Sequence, residues 1–168
     1  WLGDCVMATP AIENIVNFDN DTQITLIGSF VSIEALKNHP EVVKTVVLSK
    51  KYRDLVKISK ELGDFDIFFS FRSSIRSKFL KFFISAENKY QFDKNTYQNR
   101  HQVEKYNDFV NDSLSINLTA KKLQIYGYST SKNKKKILGI NPGASYGSAK
   151  RWYPEEFAKV AGELSSQY

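Results

Sequence analysis

The sequence predicts an α/β fold, with a Rossmann-like parallel sheet flanked by helices. Short runs of β-branched and apolar residues alternate with segments whose apolar residues recur at helical spacing, the pattern of parallel strands joined by helices. Residues 65–70 are apolar almost throughout, as in a strand buried on both faces. Hydrophobic residues make up 42% of the 168 positions, which is enough for a real core and excludes wholesale disorder.

Helix and strand signals follow one another from residue 5 to residue 114. Pro10 fits the first turn of the first helix, with Thr9 as its cap. Gly28 ends the first strand, Pro40 follows the second helix, and Gly63 ends the third helix. The predicted order is helix 5–18, strand 23–28, helix 31–38, strand 42–48, helix 52–62, strand 65–70, helix 74–84, strand 89–92 and helix 101–114.

A domain boundary is predicted after residue 131. Residues 132–136 are Lys-Asn-Lys-Lys-Lys, which is typical of a solvated linker, although a nucleic-acid-binding tail has the same composition. A strand is predicted at 137–141, followed by a Gly-rich loop and a helix that begins near Pro154. Residues 1–131 are therefore interpreted as one domain, and residues 137–168 as the opening of a second.

Charge and cysteine content narrow the function classes. The formal net charge of +6 suggests an anionic partner: a phosphate-bearing small molecule, an anionic membrane surface or nucleic acid. Cys5, the one cysteine, cannot form an internal disulfide, and no Cys/His cluster has zinc spacing. No stretch approaches the ~20 apolar residues of a membrane-spanning helix. The chain begins without Met and shows no signal peptide, so we expect a partial chain.

The loop at 142–153 is the most informative segment. Its glycines leave backbone N–H groups outward, its serines add hydroxyl donors, and the following helix adds its N-terminal dipole. Together with Lys150 and Arg151 these features predict a diphosphate cradle, although an ordinary loop with a surface Lys-Arg pair fits the same composition. The segment is neither a Walker A motif nor GxGxxG.

Three segments carry a family resemblance. Asn-Pro-Gly-Ala-Ser-Tyr-Gly-Ser-Ala-Lys-Arg-Trp-Tyr-Pro-Glu-Glu-Phe (141–157) closely resembles the signature of the lipopolysaccharide heptosyltransferases, glycosyltransferase family 9. Trp-Leu-Gly-Asp-Cys-Val-Met-Ala-Thr-Pro-Ala-Ile (1–12) resembles that family's Gly-Asp loop, and Arg-His-Gln-Val-Glu-Lys-Tyr (100–106) resembles a pattern ahead of a late helix. The long form of the loop is most similar to the members that add the second heptose of the inner core.

The resemblance implies the N-terminal half of a GT-B glycosyltransferase plus the start of its second Rossmann-like domain. The family's first strand, which precedes the Gly-Asp loop, and its later nucleotide contacts are missing from this sequence. The resemblance implies inverting transfer of heptose from ADP-L-glycero-D-manno-heptose to an acceptor of the heptosyl-Kdo2-lipid A type. It implies no obligatory metal or other cofactor and no nucleic-acid partner. The implied location is cytoplasmic, with peripheral contact at the inner face of the inner membrane.

The resemblance also assigns roles to residues. Asp4 matches the catalytic base, although it also suits a cap of the first helix, and the two roles are compatible. Lys150 matches the lysine that binds the donor diphosphate, and Ser145, Tyr146 and Gly147 match the loop around it.

Acceptor contacts are predicted from Arg72, Arg76, Lys78 and His101. Arg72 follows a strand, and ligands of open α/β sheets bind at the carboxyl ends of strands. Arginine suits the carboxylates and phosphates of an inner-core acceptor. The apolar face of helix 74–84 offers contact with lipid, although a core-packed helix with a solvated basic face explains it as well. His101 also suits a helix cap.

Two further functions remain open on sequence alone. One is a transferase of the same family with another sugar or acceptor. The other is a non-catalytic anion- or nucleic-acid-binding module, for which the sequence lacks an RNP-type aromatic motif, a recognition-helix pattern and a long basic arm.

Overall fold

The computed structural model describes residues 2–49, 51–127, 137–143 and 147–165. The chain divides into two compact units, Trp1–Tyr128 and Ser129–Tyr168, and each is described by itself. The predicted linker at 132–136 lies outside the described residues.

The first unit alternates helices and strands, which confirms the predicted α/β class. Its elements are α1 (Leu2–Met7), α2 (Thr9–Phe18), β1 (Ile24–Gly28), α3 (Phe30–Leu36), β2 (Val42–Val47), α4 (Tyr52–Glu61), β3 (Asp64–Ser70), α5 (Ile75–Phe83), β4 (Ser85–Gln91) and α6 (Gln102–Leu114).

The described strands form two parallel pairs. β1 pairs with β2, and β3 pairs with β4 in a register that runs from Asp64 opposite Ser85 to Ser70 opposite Gln91. The helix between the strands of each pair, α3 or α5, supplies the crossover that parallel pairing requires. The sequence predicted parallel strands but not their division into two pairs, because the choice of a pairing partner leaves no periodic signal.

Two buried clusters hold these layers together in the described part of the first unit. One joins Ala8 and Ala11 to the aromatic rings of Phe92, Tyr106 and Phe109. The other centres on residues of α4 and α5, and on Ile84 directly after α5. Ile27 of β1 and Phe68 of β3 both pack against that second cluster, so both strand pairs lie under the same two helices.

The N-terminal helical segment differs from the prediction. The helical pattern at 5–18 is two helices, because Pro10 has no N–H and its ring excludes the carbonyl of Val6 from a helical hydrogen bond. Pro10 lies in the first turn of α2, as predicted. The prediction that Thr9 caps the helix is wrong: the cap residue is Ala8, with no side-chain bond, and the Thr9 hydroxyl donates to Val6 O at 2.8 Å.

The chain between α6 and residue 127 has no helix or strand and is attached to α2 by side chains. Tyr126 donates its hydroxyl to Glu13 Oε1 at 2.9 Å, and His39 Nε2 lies 3.1 Å from the same oxygen. Gln124 N–H donates to Thr9 Oγ1 at 3.1 Å. These bonds fix the path by which the chain leaves the first unit.

In the second unit the predicted strand at 137–141 is wrong. The structure describes residues 137–143 and assigns them no regular structure, and the exposed Ile137 shows that the segment buries little there. A strand needs a hydrogen-bonded neighbour, which an apolar run alone does not provide. The predicted helix is present as α7 (Pro154–Leu164), with Pro154 in its first turn.

Candidate active site

Asp4 is the third residue of α1 and is half-buried. It lies in the first turn rather than at the cap position, so the alternative of a capping aspartate is not supported, although the helix dipole favours a negative charge there. A Cβ placed on the neighbouring Gly3 would meet no heavy atom of the described residues within 4 Å. A side-chain carbon at position 3 would therefore meet open space beside Asp4.

The hydroxyl of Tyr106 hydrogen-bonds Gln102 and is acted on electrostatically by Asp4, Cys5 and Arg72. The pKa of this phenol is raised to about 12: burial is the largest cause, the charges of Asp4 and Cys5 add to it, and a hydrogen bond with Gln102 and the charge of Arg72 oppose it. The charges of the predicted base and of a predicted acceptor contact thus both act on one phenol of the first unit. Tyr106 keeps its proton at neutral pH and can donate a hydrogen bond.

Aromatic packing sets the position of that phenol. The Tyr106 ring meets Phe71 edge-on at 5.4 Å between centroids and Phe92 at 5.0 Å. Phe71 precedes Arg72 in the chain, and Gln102 lies one helical turn before Tyr106 on α6. Packing in the core therefore fixes the Tyr106 ring, while its hydroxyl hydrogen-bonds Gln102 and is acted on by the charge of Asp4.

Arg72 follows the carboxyl end of β3 and is exposed. Its backbone carbonyl accepts from Ser77 Oγ at 2.8 Å, from Ser70 Oγ at 3.2 Å and from Gln91 Nε2. This edge of the β3–β4 pair is where ligands bind in open parallel sheets.

Arg76 has a different environment from Arg72. Its guanidinium donates to Ser49 O and lies 5.3 Å from the centre of the Tyr52 ring. These contacts attach α5 to the loop after β2, so Arg76 contributes to packing whatever else it binds.

Lys78 and His101 complete the predicted acceptor set, and both are exposed. Lys78 is on α5. His101 caps α6: its Nδ1 accepts from Val103 N–H at 3.3 Å, and Glu104 Oε2 accepts from His101 N–H at 3.2 Å. The capping alternative for His101 is confirmed, and its acceptor role stays a prediction.

The donor loop is described only in part. Ser145 and Tyr146 lie outside the described residues. Gly147 has a φ of +84°, which favours glycine, and its carbonyl accepts from Lys150 N–H at 3.1 Å. Lys150 is exposed at the end of a 3₁₀ turn, Ser148–Lys150, just before α7. This turn presents the lysine to solvent, where an anion can reach it.

Sequence reasoning missed Tyr106 and Gln91 as site residues. The apolar spacing of helix 101–114 puts Tyr106 on its apolar face, which is correct for the ring, but a buried tyrosine also needs a partner for its hydroxyl. Gln91 ends β4 beside Ser70, and a polar residue at the carboxyl end of a parallel strand is the signal that could have identified it.

No group of three or more His, Cys, Asp or Glu side chains among the described residues is arranged to hold a metal ion. None of the described helices combines the length and the apolar character needed to cross a membrane.

Comparison with known proteins returns two relatives with the same name. The chain is 43% identical over 176 aligned residues to lipooligosaccharide heptosyltransferase 2 of Campylobacter jejuni serotype O:2, and 42% identical to that of serotype O:6. Each alignment covers the whole chain and 55% of the relative, so the chain spans about half the length of these proteins. No family model and no solved structure matches it. The chain is therefore similar along its whole length to lipooligosaccharide heptosyltransferases, and the resemblance indicated by its motifs is confirmed.

Proposed function

We propose that the protein carrying this chain is an inverting glycosyltransferase that moves heptose from ADP-L-glycero-D-manno-heptose onto the first heptose of the lipopolysaccharide inner core. The heptosyltransferase relatives support the reaction class. The observation that carries the proposal is that Asp4 and Arg72, a base and an anion-binding group, both act electrostatically on the Tyr106 hydroxyl of the first unit.

Asp4 is the proposed base. Its carboxylate takes the proton from an acceptor hydroxyl while that oxygen bonds to the anomeric carbon of heptose. The bond between that carbon and the diphosphate oxygen breaks in the same step, so ADP leaves and the anomeric centre inverts without a sugar–enzyme intermediate. Lys150 and the backbone N–H groups of its loop stabilise the departing diphosphate. We expect turnover to persist in EDTA.

Arg72 is the proposed main contact with an acceptor of the heptosyl-Kdo2-lipid A type. Its planar guanidinium suits the carboxylate and phosphate groups of such an acceptor. Lys78 adds a second cation on the helix that follows. Arg76 and His101 already hold Ser49 and the start of α6, so we expect their replacement to lower stability as well as acceptor affinity.

A peripheral membrane contact through α5, at the cytoplasmic face of the inner membrane, would bring the protein to a lipid-linked acceptor. Ile75 and Phe82 are 81% and 78% exposed, and with Lys78 they share one helical face. We expect Phe82→Ser to reduce sedimentation with phosphatidylglycerol vesicles. Val43→Ser, at an apolar position of β2 that is 62% exposed, should leave it unchanged. Equal losses in both variants would remove the support for this surface.

Product analysis by mass spectrometry tests the proposed function itself. We expect one added heptose on the acceptor with ADP-heptose, and none when another sugar nucleotide replaces it. Lys150→Ala should weaken the binding of ADP measured by calorimetry. Lys159→Ala, at another exposed lysine of the same unit, should not. Transfer of a different sugar, or no transfer, contradicts the proposal.

A further inference from the structure

We propose that Gln91, with Ser70 and Ser77, positions Arg72 for the acceptor by holding its backbone carbonyl. These three are positioning residues, because they act on the substrate through Arg72. The inference rests on the proposed function, in which Arg72 binds the acceptor.

Three donors converge on one carbonyl oxygen. Gln91 Nε2 donates to Arg72 O, Ser70 Oγ donates to it at 3.2 Å, and Ser77 Oγ shares its one proton between Arg72 O at 2.8 Å and Ser74 O at 2.7 Å. Gln91 Nε2 also lies 3.0 Å from Ser70 Oγ and 3.2 Å from Ser77 Oγ, so the donors contact one another. Water alone could satisfy the hydrogen-bonding capacity of a carbonyl next to solvent. The protein groups around Arg72 O therefore restrict the position of this carbonyl more than its hydrogen bonding requires.

Each donor comes from a different element. Ser70 ends β3, Gln91 ends β4 in register opposite Ser70, and Ser77 is in the first turn of α5. Ser74 caps α5 by accepting from Ser77 N–H at 3.2 Å, which fixes the Ser77 backbone. The carbonyl of Arg72 is therefore located by both strands of the sheet and by the helix that follows.

The amide of Gln91 uses its nitrogen for these contacts and leaves its oxygen without a protein partner among the described residues. That oxygen, Oε1, is buried. Rules of polar satisfaction are broken mainly at functional sites, where another requirement outweighs stability. Here that requirement is the orientation of Gln91 Nε2 toward Arg72.

The restraint on the Arg72 backbone also limits where its guanidinium can reach. Arg72 is exposed and follows the carboxyl end of β3, the edge at which ligands of open parallel sheets bind. A fixed backbone reduces the conformations that an exposed arginine must lose when it binds an anion. Loss of the restraint should therefore weaken acceptor binding without slowing the proton transfer at Asp4.

Steady-state kinetics of Gln91→Met in the intact protein test the inference. Methionine keeps the length of the side chain and removes the donor. We expect the KM for acceptor to rise about tenfold, equivalent to ~1.4 kcal/mol, with kcat and the affinity for ADP unchanged. Gln98→Met is the matched control, since Gln98 Nε2 donates to Asn95 O at 3.1 Å in an exposed turn. It should leave the KM at the wild-type value.

A second variant and a double-mutant cycle separate positioning from a structural role. Ser77→Ala should raise the acceptor KM in the same way, and Ser113→Ala, which removes a serine bond to Phe109 O at 2.7 Å, should not. With Arg72→Met already present, Gln91→Met should raise the KM no further.

An acceptor KM that rises equally with and without Arg72 overturns the inference, and so does a wild-type KM in both Gln91→Met and Ser77→Ala. Both results require a wild-type protein that transfers heptose, and so leave the proposed function intact. A wild-type protein that transfers no heptose overturns the proposed function and the inference with it.

Discussion

Replacing Tyr106 by Phe should change how the stability of the protein depends on alkaline pH. The substitution removes one hydroxyl from a ring that is 6% exposed and keeps its contacts with Phe71 and Phe92. The pKa of Tyr106 is raised to about 12 in the folded protein, against about 10 in the unfolded chain. Folding therefore favours the protonated phenol.

The sign and size of the effect follow from this pKa difference. A raised folded pKa contributes stability that is fully present below pH 10 and is lost as pH rises from 10 to 12. Two pKa units correspond to about 2.7 kcal/mol, to be read as an order of magnitude. Over that interval the wild-type protein should lose about this much more unfolding free energy than Tyr106→Phe, which has no proton to lose at this position.

Urea unfolding of both proteins at a series of pH values measures the difference. Tyr153→Phe is the control, because that ring is 74% exposed. Parallel stability curves for wild type and Tyr106→Phe from pH 9 to pH 12 would show that the hydroxyl is not buried beside Asp4. The reasoning that places Tyr106 in the site would then be refuted.

Two further substitutions test the packing of the first unit by urea unfolding. Glu13→Ala leaves His39 Nε2 and the Tyr126 hydroxyl without their shared acceptor, and should lower the unfolding free energy by about 2–4 kcal/mol. Gly127→Ala should cost at least ~1–2 kcal/mol, because φ is +79° there and the new Cβ would lie 2.6 Å from the Asn38 Cβ.

Matched controls exist for both substitutions. Glu61→Ala removes an exposed partner of Lys57 at 3.7 Å and should cost less than about 1 kcal/mol. Gly162→Ala, in α7 with no atom near the new Cβ, should be neutral or stabilising. If each variant matched its control, the attachment of residues 118–127 to α2 and α3 would not contribute to stability.

The sequence predicted most of the first unit, because its signals there are local. Helices α4 and α6 were found from apolar spacing, and Gly63, with a φ of +80°, marks the end of α4 as expected. The start of β4 at Ser85 was missed by four residues, since its first half lacks the β-branched residues typical of strands. The strand at 137–141 failed because its apolar residues have no neighbouring strand among the described residues.

The sequence predicted the charged residues of the candidate site, Asp4 and Arg72, but not the residues around them, Tyr106 and Gln91. Asp4 and Arg72 were identified from a motif and from a position after a strand. Their shared action on the Tyr106 hydroxyl was not, because 67 residues of sequence separate them and no local pattern reports a tertiary arrangement. The roles of Tyr106 and Gln91 depend on which atoms their polar ends meet, and that is decided by packing against Phe71 and by the register of β4.

The most direct test of the proposed mechanism is heptose transfer by Asp4→Asn, compared with its affinity for ADP. Asparagine keeps the size of the side chain and removes the basic carboxylate. We expect transfer to fall by about 10²- to 10⁴-fold, the contribution typical of a general base, while ADP binds as in the wild type. Wild-type turnover in Asp4→Asn would show that the acceptor hydroxyl loses its proton elsewhere and would contradict the assignment of Asp4.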